Sequence, residues 1–293
     1  MMTILGILNW STHYLGDHQI ENPRLNAELL LALSLDLSRE DLYARLDGQF
    51  KEENRETLER LIERRISGEP LQYILGHQEF WSIDLKVDPR VLIPRPETEF
   101  LVEQALSILF EISHRRPPYV LEIGTGSGAI AISLAKEVKD VFMVATDISR
   151  EALRLAKENA QSAGVLHQIG FVNGDLFGPF QSLRDKEVFD LILSNPPYIT
   201  RSEIRRLARE IKDFEPTLAL DGGEDGMEFY RRITLEAPFY LRKGGWLLLE
   251  VGEGQGEEVT ELIERSESFL EPNLLPDLSG IERVAKAQRR SDA

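Results

Sequence analysis

Leu121-Glu122-Ile123-Gly124-Thr125-Gly126-Ser127-Gly128-Ala129 joins an apolar run to a helical pattern through three alternating glycines. Tyr119–Ile123 reads as a buried strand and Ala129–Lys136 as a helix, so the glycines sit at a strand-to-helix turn, where they permit a sharp bend and close approach of a ligand to the backbone. Outward from this turn the alternation continues. Val141–Thr146 is a strand, Ser149–Ala163 a helix stopping at Gly164, and Ile169–Asn173 and Phe189–Ser194 are strands. Trp246–Val251 is another, preceded by Gly244-Gly245, and weaker strands fall near Phe269–Leu275 and Ile281–Ala287. Seven strands alternating with helices predict an α/β fold with a mostly parallel sheet covered on both faces, binding its ligand beyond the carboxyl ends of the strands.

Upstream, the chain reads as helices only. Asn22-Pro23 opens a pattern with Leu25, Leu29, Leu30 and Leu33 on one face. Ser38 caps a short helix with Leu42 and Leu46, and Glu52–Ser67 carries Leu58, Leu61, Ile62 and Ile66 before a stop at Gly68. Phe80, Ile83, Leu85 and Val87 then suggest a hairpin, stiffened downstream by Pro89, Pro94 and Pro96. The division expected is a helical domain over 1–75, a hairpin linker over 76–96 and the α/β domain over 97–293.

The chain has no cysteine, which excludes disulfides, zinc–thiolate sites and a cysteine nucleophile and fits a reducing compartment. The five histidines show no metal-ligand spacing. With 34 basic and 50 acidic residues the net charge is -16, which counts against a nucleic-acid grip built on neutralising phosphates. Met1–Trp10 lacks a basic n-region, and no window approaches the roughly 18 apolar residues of a membrane span. A cytoplasmic monomer is expected.

Gly124, Gly126 and Ala129 satisfy the dinucleotide pattern G-x-G-x-x-G/A, a weak signal that a purely structural turn also meets. Glu122 favours a different ligand: a carboxylate at the strand end suits a cationic group and opposes a pyrophosphate. S-adenosyl-L-methionine, which leaves S-adenosyl-L-homocysteine as product, has that charge. Asp147 ends the next strand, where a carboxylate accepts both ribose hydroxyls of either cofactor. Asp175, in Asn173-Gly174-Asp175-Leu176, is placed to accept from an adenine amino group, or else to cap a turn.

Ser194-Asn195-Pro196-Pro197-Tyr198 follows the fourth strand beside this cleft. Two prolines make a stiff turn whatever its use. A functional reading uses each residue. A planar amide or aniline nitrogen is a poor nucleophile because its lone pair is delocalised. The Asn195 side-chain oxygen and the Pro196 carbonyl can accept its two N–H groups and favour a tetrahedral nitrogen aimed at a methyl donor. Pro197 fixes the turn and Tyr198 lies against the flat substrate group. The tetrapeptide is similar to the motif of amino-methyltransferases, which act on adenine N6, guanine N2 or a glutamine amide.

Further stretches narrow this choice. Glu69-Pro70-Leu71-Gln72-Tyr73-Ile74-Leu75-Gly76, Glu79-Phe80-Trp81, Val91-Leu92-Ile93-Pro94-Arg95-Pro96-Glu97-Thr98-Glu99, Phe214-Glu215-Pro216 and Leu220-Asp221-Gly222-Gly223-Glu224-Asp225-Gly226 resemble the peptide chain release factor glutamine methyltransferases over essentially the whole chain. The resemblance implies a Rossmann-like seven-stranded methyltransferase sheet with a small N-terminal all-helical domain joined by a short β-hairpin. It implies methylation of the glutamine side-chain nitrogen in the Gly-Gly-Gln loop of class 1 release factors, in support of translation termination. Cofactor contacts carry over to Gly124, Thr125, Gly126, Ser127, Gly128, Asp147 and Asn195, beside the expected Glu122, Asp175 and Leu176. Substrate contacts carry over to Asn195, Pro196, Pro197 and Tyr198. Two departures stand out: Ser82 replaces a frequent glycine, and Leu176 replaces a tryptophan found in some members. Ile93–Glu99 reads either as a plain helix start or as active-site wall together with Phe100. The competing activity is N6-adenine or N2-guanine methylation of nucleic acid, which shares Asn195–Tyr198. The N-terminal helices carry no catalytic candidate and are expected to recognise the body of the release factor.

Overall fold

A computed structural model describes residues 2–291. It divides into two compact units, one of residues 1–77 with 208–214, the other of 78–207 with 215–293.

The first unit is helical: α1 (Ile4–Asp17), α2 (Pro23–Ser34), α3 (Arg39–Ala44), α4 (Arg55–Ile66), α5 (Leu71–Leu75) and, from the later segment, α10 (Arg209–Lys212). Helix α1 was not among the expected elements. Its start is set by Thr3, whose hydroxyl accepts from the Gly6 amide, and it buries Ile4, Ile7, Leu8 and Leu15, which fall at helical spacing. Ser38 caps α3 as expected, but the helix stops before Leu46. The face expected on α2 is turned: Ala27, Leu30 and Leu31 are buried while Leu25 and Leu33 are 40% and 41% exposed. Buried Glu28 decides this turn. Its carboxylate takes Arg24, Arg39 and the Tyr43 hydroxyl, and those partners outweigh burial to hold it below the usual carboxylate range. Arg65 joins α4 to both Asn26 and Glu210, which ties the 208–214 segment into this unit.

The second unit opens with the hairpin β1 (His77–Phe80) and β2 (Ile83–Lys86), whose two turn residues, Trp81 and Ser82, both have positive φ, 52° and 55°. Segment 76–96, expected as a linker, is part of this unit's packing, because Phe80 and Leu85 are buried in its core. Then follow α6 (Glu99–Ser113), β3 (Tyr119–Ile123), α7 (Ala129–Glu137), β4 (Phe142–Asp147), α8 (Arg150–Ser162), β5 (Ile169–Asn173), β6 (Phe189–Ser194), α9 (Arg201–Ile204), α11 (Glu228–Glu236), β7 (Leu241–Glu250), α12 (Gly256–Arg265), β8 (Asn273–Pro276) and β9 (Glu282–Gln288).

The seven-stranded sheet has the order β5-β4-β3-β6-β7-β9-β8. Strands β3 to β7 are parallel neighbours, and β9 runs antiparallel to β7 and β8. Side chains alternate between two cores, as strand geometry requires. Leu191 and Leu193 pack with α6 and α7 on one face, while Ile192, Leu247 and Leu249 pack with α11 and α12 on the other. Three differences from the sequence reading concern late elements. Gly244 and Gly245 lie inside β7, beside a register shift against β6. Phe269 falls outside β8 and makes an isolated bridge to Arg289. Helices α11 and α12, whose apolar residues are spread among many charges, had not been anticipated.

Candidate active site

The carboxyl ends of β3, β4, β5 and β6 open onto a cavity of about 350 Å³, within the range of small-ligand and cofactor sites. Gly124, Gly126, Asp147, Asp175, Leu176, Asn195, Pro196 and Pro197 line it. Gly126 has φ 55° and nothing within 4 Å of where a Cβ would stand, so its backbone is open to a ligand. Asp147 anchors the floor. One carboxylate oxygen accepts from the Gly126 amide at 2.9 Å and the other from Ser149 at 2.8 Å. Each oxygen keeps a lone pair for a hydroxyl. Burial raises the Asp147 carboxyl and those two amides oppose the rise.

The remaining residues of the glycine turn lie behind the cavity. Glu122 is 1% exposed, accepts from the Thr125 hydroxyl at 2.7 Å and leaves its other oxygen without a partner. Burial pushes its carboxyl up to about 7. Thr125 and Ser127 are likewise buried, so contact through these three side chains is replaced by support of the turn. Gly128 serves helix packing: an added Cβ would meet the Ala156 Cβ of α8 at 3.1 Å.

Asp175 lines the cavity but its carboxylate is paired with Arg232 of α11, which competes with the expected adenine contact. Leu176 is buried beneath the floor at 7% exposure. The apolar surfaces that sequence reading missed are Ile148, Leu218 and Phe229, all on the cavity wall. Ile148 and Leu218 are 52% and 54% exposed, an unusual state for aliphatic side chains that marks a ligand face. Arg90, Val91 and Leu92 supply the other edge, in place of the expected Ile93–Glu99. Vicinal acceptors on Asp147, apolar walls at Ile148 and Phe229, and a buried carboxylate with an unpartnered oxygen together fit a ligand with a ribose, a flat base and a cationic end.

At the end of β6, Ser194 donates to the Ile123 carbonyl at 2.8 Å and so fixes the strand end before the Asn195 turn. The Asn195 amide donates to the Thr98 hydroxyl at 3.1 Å, which leaves its Oδ1 as an acceptor. Tyr198 does not line the cavity. Its ring packs toward α12 and Gly252, and its carbonyl accepts from Gln255. Burial, reinforced by Glu250 and Glu97, pushes its hydroxyl up to about 12. The loop 214–226 folds against this turn: a Cβ on Gly222 would stand 2.7 Å from the Tyr198 Cα. Phe100, expected at the wall, is half-buried against the core under α6.

Residues 120–214 match the family model of a methyltransferase domain and residues 6–76 that of the PrmC N-terminal domain. The fold is that of a methyltransferase from Pyrococcus furiosus (TM-score 0.51, 19% identity, covering 71% of this chain and 89% of that one). It is also that of the hMettl16 catalytic domain (TM-score 0.57, 15% identity, 79% and 82%). Sheet order, glycine turn and domain model define a Rossmann-like methyltransferase. Over nearly full length the chain is 43% identical to the release factor glutamine methyltransferase of Geobacter sulfurreducens, covering 96% of this chain and 95% of the relative. It is 39% identical to that of Moorella thermoacetica, covering 99% and 100%. The chain belongs to the release factor glutamine methyltransferase family. No helix among the described residues is long and apolar enough to cross a membrane.

Proposed function

We propose that this chain methylates the side-chain amide nitrogen of the glutamine in the Gly-Gly-Gln loop of class 1 release factors. S-adenosyl-L-methionine, when bound, supplies an electrophilic methyl group on a sulfonium. The observation that carries the reading is Asn195: its amide nitrogen is engaged by Thr98 and its oxygen remains an acceptor at the cavity edge. Oδ1 and the Pro196 carbonyl accept the two N–H groups of the glutamine amide. They hold its nitrogen in line with the methyl and stabilise the positive charge that grows on it. A new C–N bond forms, the C–S pair stays on sulfur, and the nitrogen gives up one proton. Asp147 holds the ribose hydroxyls, and Ile148 and Phe229 flank the base. Buried Glu122 faces the cationic end through the glycine turn.

A protein interface of ordinary size buries about 800 Å² per partner, more than a single loop in a pocket supplies. The helical unit is the second contact in this reading, with residues 1–75 as recognition domain and Trp10 and Tyr14 exposed and stacked on α1. The test is transfer of labelled methyl to purified release factor, with DNA and RNA as competitors. Asn195→Ala is expected to lower the rate about a hundredfold, near 3 kcal/mol, as for loss of one oriented transition-state hydrogen bond, with little change in cofactor affinity. Near-normal turnover in this variant, or methyl transfer to nucleic acid instead, sinks the reading.

A further inference from the structure

The acceptor role of Asn195 requires one orientation of its amide. A free asparagine at a cavity edge presents oxygen or nitrogen with similar ease, because the two ends differ only in donor and acceptor character. Something behind it must choose. Asn195 donates from Nδ2 to the Thr98 hydroxyl, which is 5% exposed and belongs to the Pro96–Thr98 turn ahead of α6. Behind both lies Glu250, the last residue of β7, 2% exposed. Thr98 and Asn195 side chains both hydrogen-bond toward its carboxyl, and its Oε2 has no partner. The β6–β7 register places Ser194 opposite Leu249, so Asn195 and Glu250 are the next residues of neighbouring strands.

We propose that Glu250 and Thr98 are positioning residues whose hydrogen-bond chain fixes the polarity of the Asn195 amide. A carboxylate only accepts. Thr98 therefore gives its proton toward Glu250, keeps its lone pairs for Asn195 Nδ2, and Asn195 Oδ1 is turned to the cleft. A donor-only group in place of the carboxylate would reverse the chain. This deepens the function proposed above and rests on its assignment of Asn195. It also explains why the Pro94–Glu99 segment is held so firmly. Arg95 pairs with buried Glu215 at 2.7 Å and Glu99 accepts from the Trp81 amide, so both flanks of Thr98 are pinned.

The experiment is a double-mutant cycle on kcat for methyl transfer to intact release factor, with cofactor Kd measured alongside. Glu250→Leu and Thr98→Val each remove a link. Each is expected to lower kcat about tenfold while cofactor Kd stays within about twofold. In the Asn195→Ala background each is expected to cost less than twofold, because no amide remains to orient. Glu250→Gln retains an acceptor and is expected within about threefold of wild type. A packing role would reduce kcat by the same factor in both backgrounds, and that result overturns the proposal. So does a tenfold loss in Glu250→Gln that persists without Asn195. If Glu250→Leu fails to fold, the Thr98→Val pair decides alone, since valine is nearly isosteric with threonine. An inactive wild type rejects the function itself, whereas an active wild type with additive variants rejects only the relay.

Discussion

Two backbone amides hold the Asp147 carboxylate, so its position is set by the glycine turn before any ligand arrives. Replacement by alanine is expected to weaken S-adenosyl-L-methionine binding by about 1.5–3 kcal/mol, the range for hydrogen bonds to a charged group; calorimetry giving parental affinity would reject the ribose contact. Glu122 and Glu250 are the other decisive carboxyls, each pushed by burial to about 7. Their sign runs against the usual acidic case. A folded pKa above the unfolded value means the folded state binds more protons between about pH 4.5 and 7. The stability these groups contribute is complete below that window and is lost as pH rises through it, at most about 3 kcal/mol each. Urea unfolding between pH 5 and 8 is expected to show wild type losing stability with pH, and Glu122→Gln losing less. Parallel slopes would show that Glu122 titrates normally. Asp147 and Asn195 were legible in the sequence because each ends a strand at a position where the fold has one use for such a side chain. Asp175 was not, because its Arg232 partner arrives from a helix 57 residues downstream.

At the scale of elements, the β1–β2 hairpin carries a local conflict. Its turn needs left-handed backbone at both central residues, and Trp81 and Ser82 adopt it at φ 52° and 55° where glycine suits the geometry. Trp81 is retained by its indole bond to Glu137 and its amide bond to Glu99. Ser82 has no such compensation among the hydrogen bonds described. Ser82→Gly is therefore expected to stabilise the protein by about 0.5–1 kcal/mol, the left-handed penalty less the added chain entropy of glycine. A lowered melting temperature would contradict this. The strand β3, the glycine turn and α7 were readable because period and turn chemistry agree there. Helices α11 and α12 were not, since their buried residues, Tyr230 and Ile233 or Val259 and Ile263, are outnumbered by charges that only the sheet face sorts out.

The whole molecule has a division that a linear cut cannot follow. Residues 208–214 belong to the helical unit, where Glu210 pairs with Arg65, so removing residues 1–77 would strand that segment. The recognition role is better tested on the surface. Trp10→Ala with Tyr14→Ala removes exposed stacked rings without touching the buried face of α1. The pair is expected to raise KM for intact release factor about tenfold, to leave cofactor affinity unchanged, and to have little effect on a short Gly-Gly-Gln peptide. Equal kinetics for the intact factor would reduce these helices to a structural role.

Sequence alone determined the parallel sheet, the strand ends and the residues they carry, because hydrophobic period, glycine turns and proline pairs act over a few neighbours. Tertiary structure decided which of those residues reach the cavity. Glu122, Thr125 and Ser127 go behind the turn because their strand and helix faces are covered, and Tyr198 packs toward Gly252 rather than into the cleft. It also brought Thr98 and Glu250 to Asn195, from 97 residues before and from the end of the neighbouring strand. Such a convergence depends on strand order, and strand order is a long-range property that no local pattern encodes.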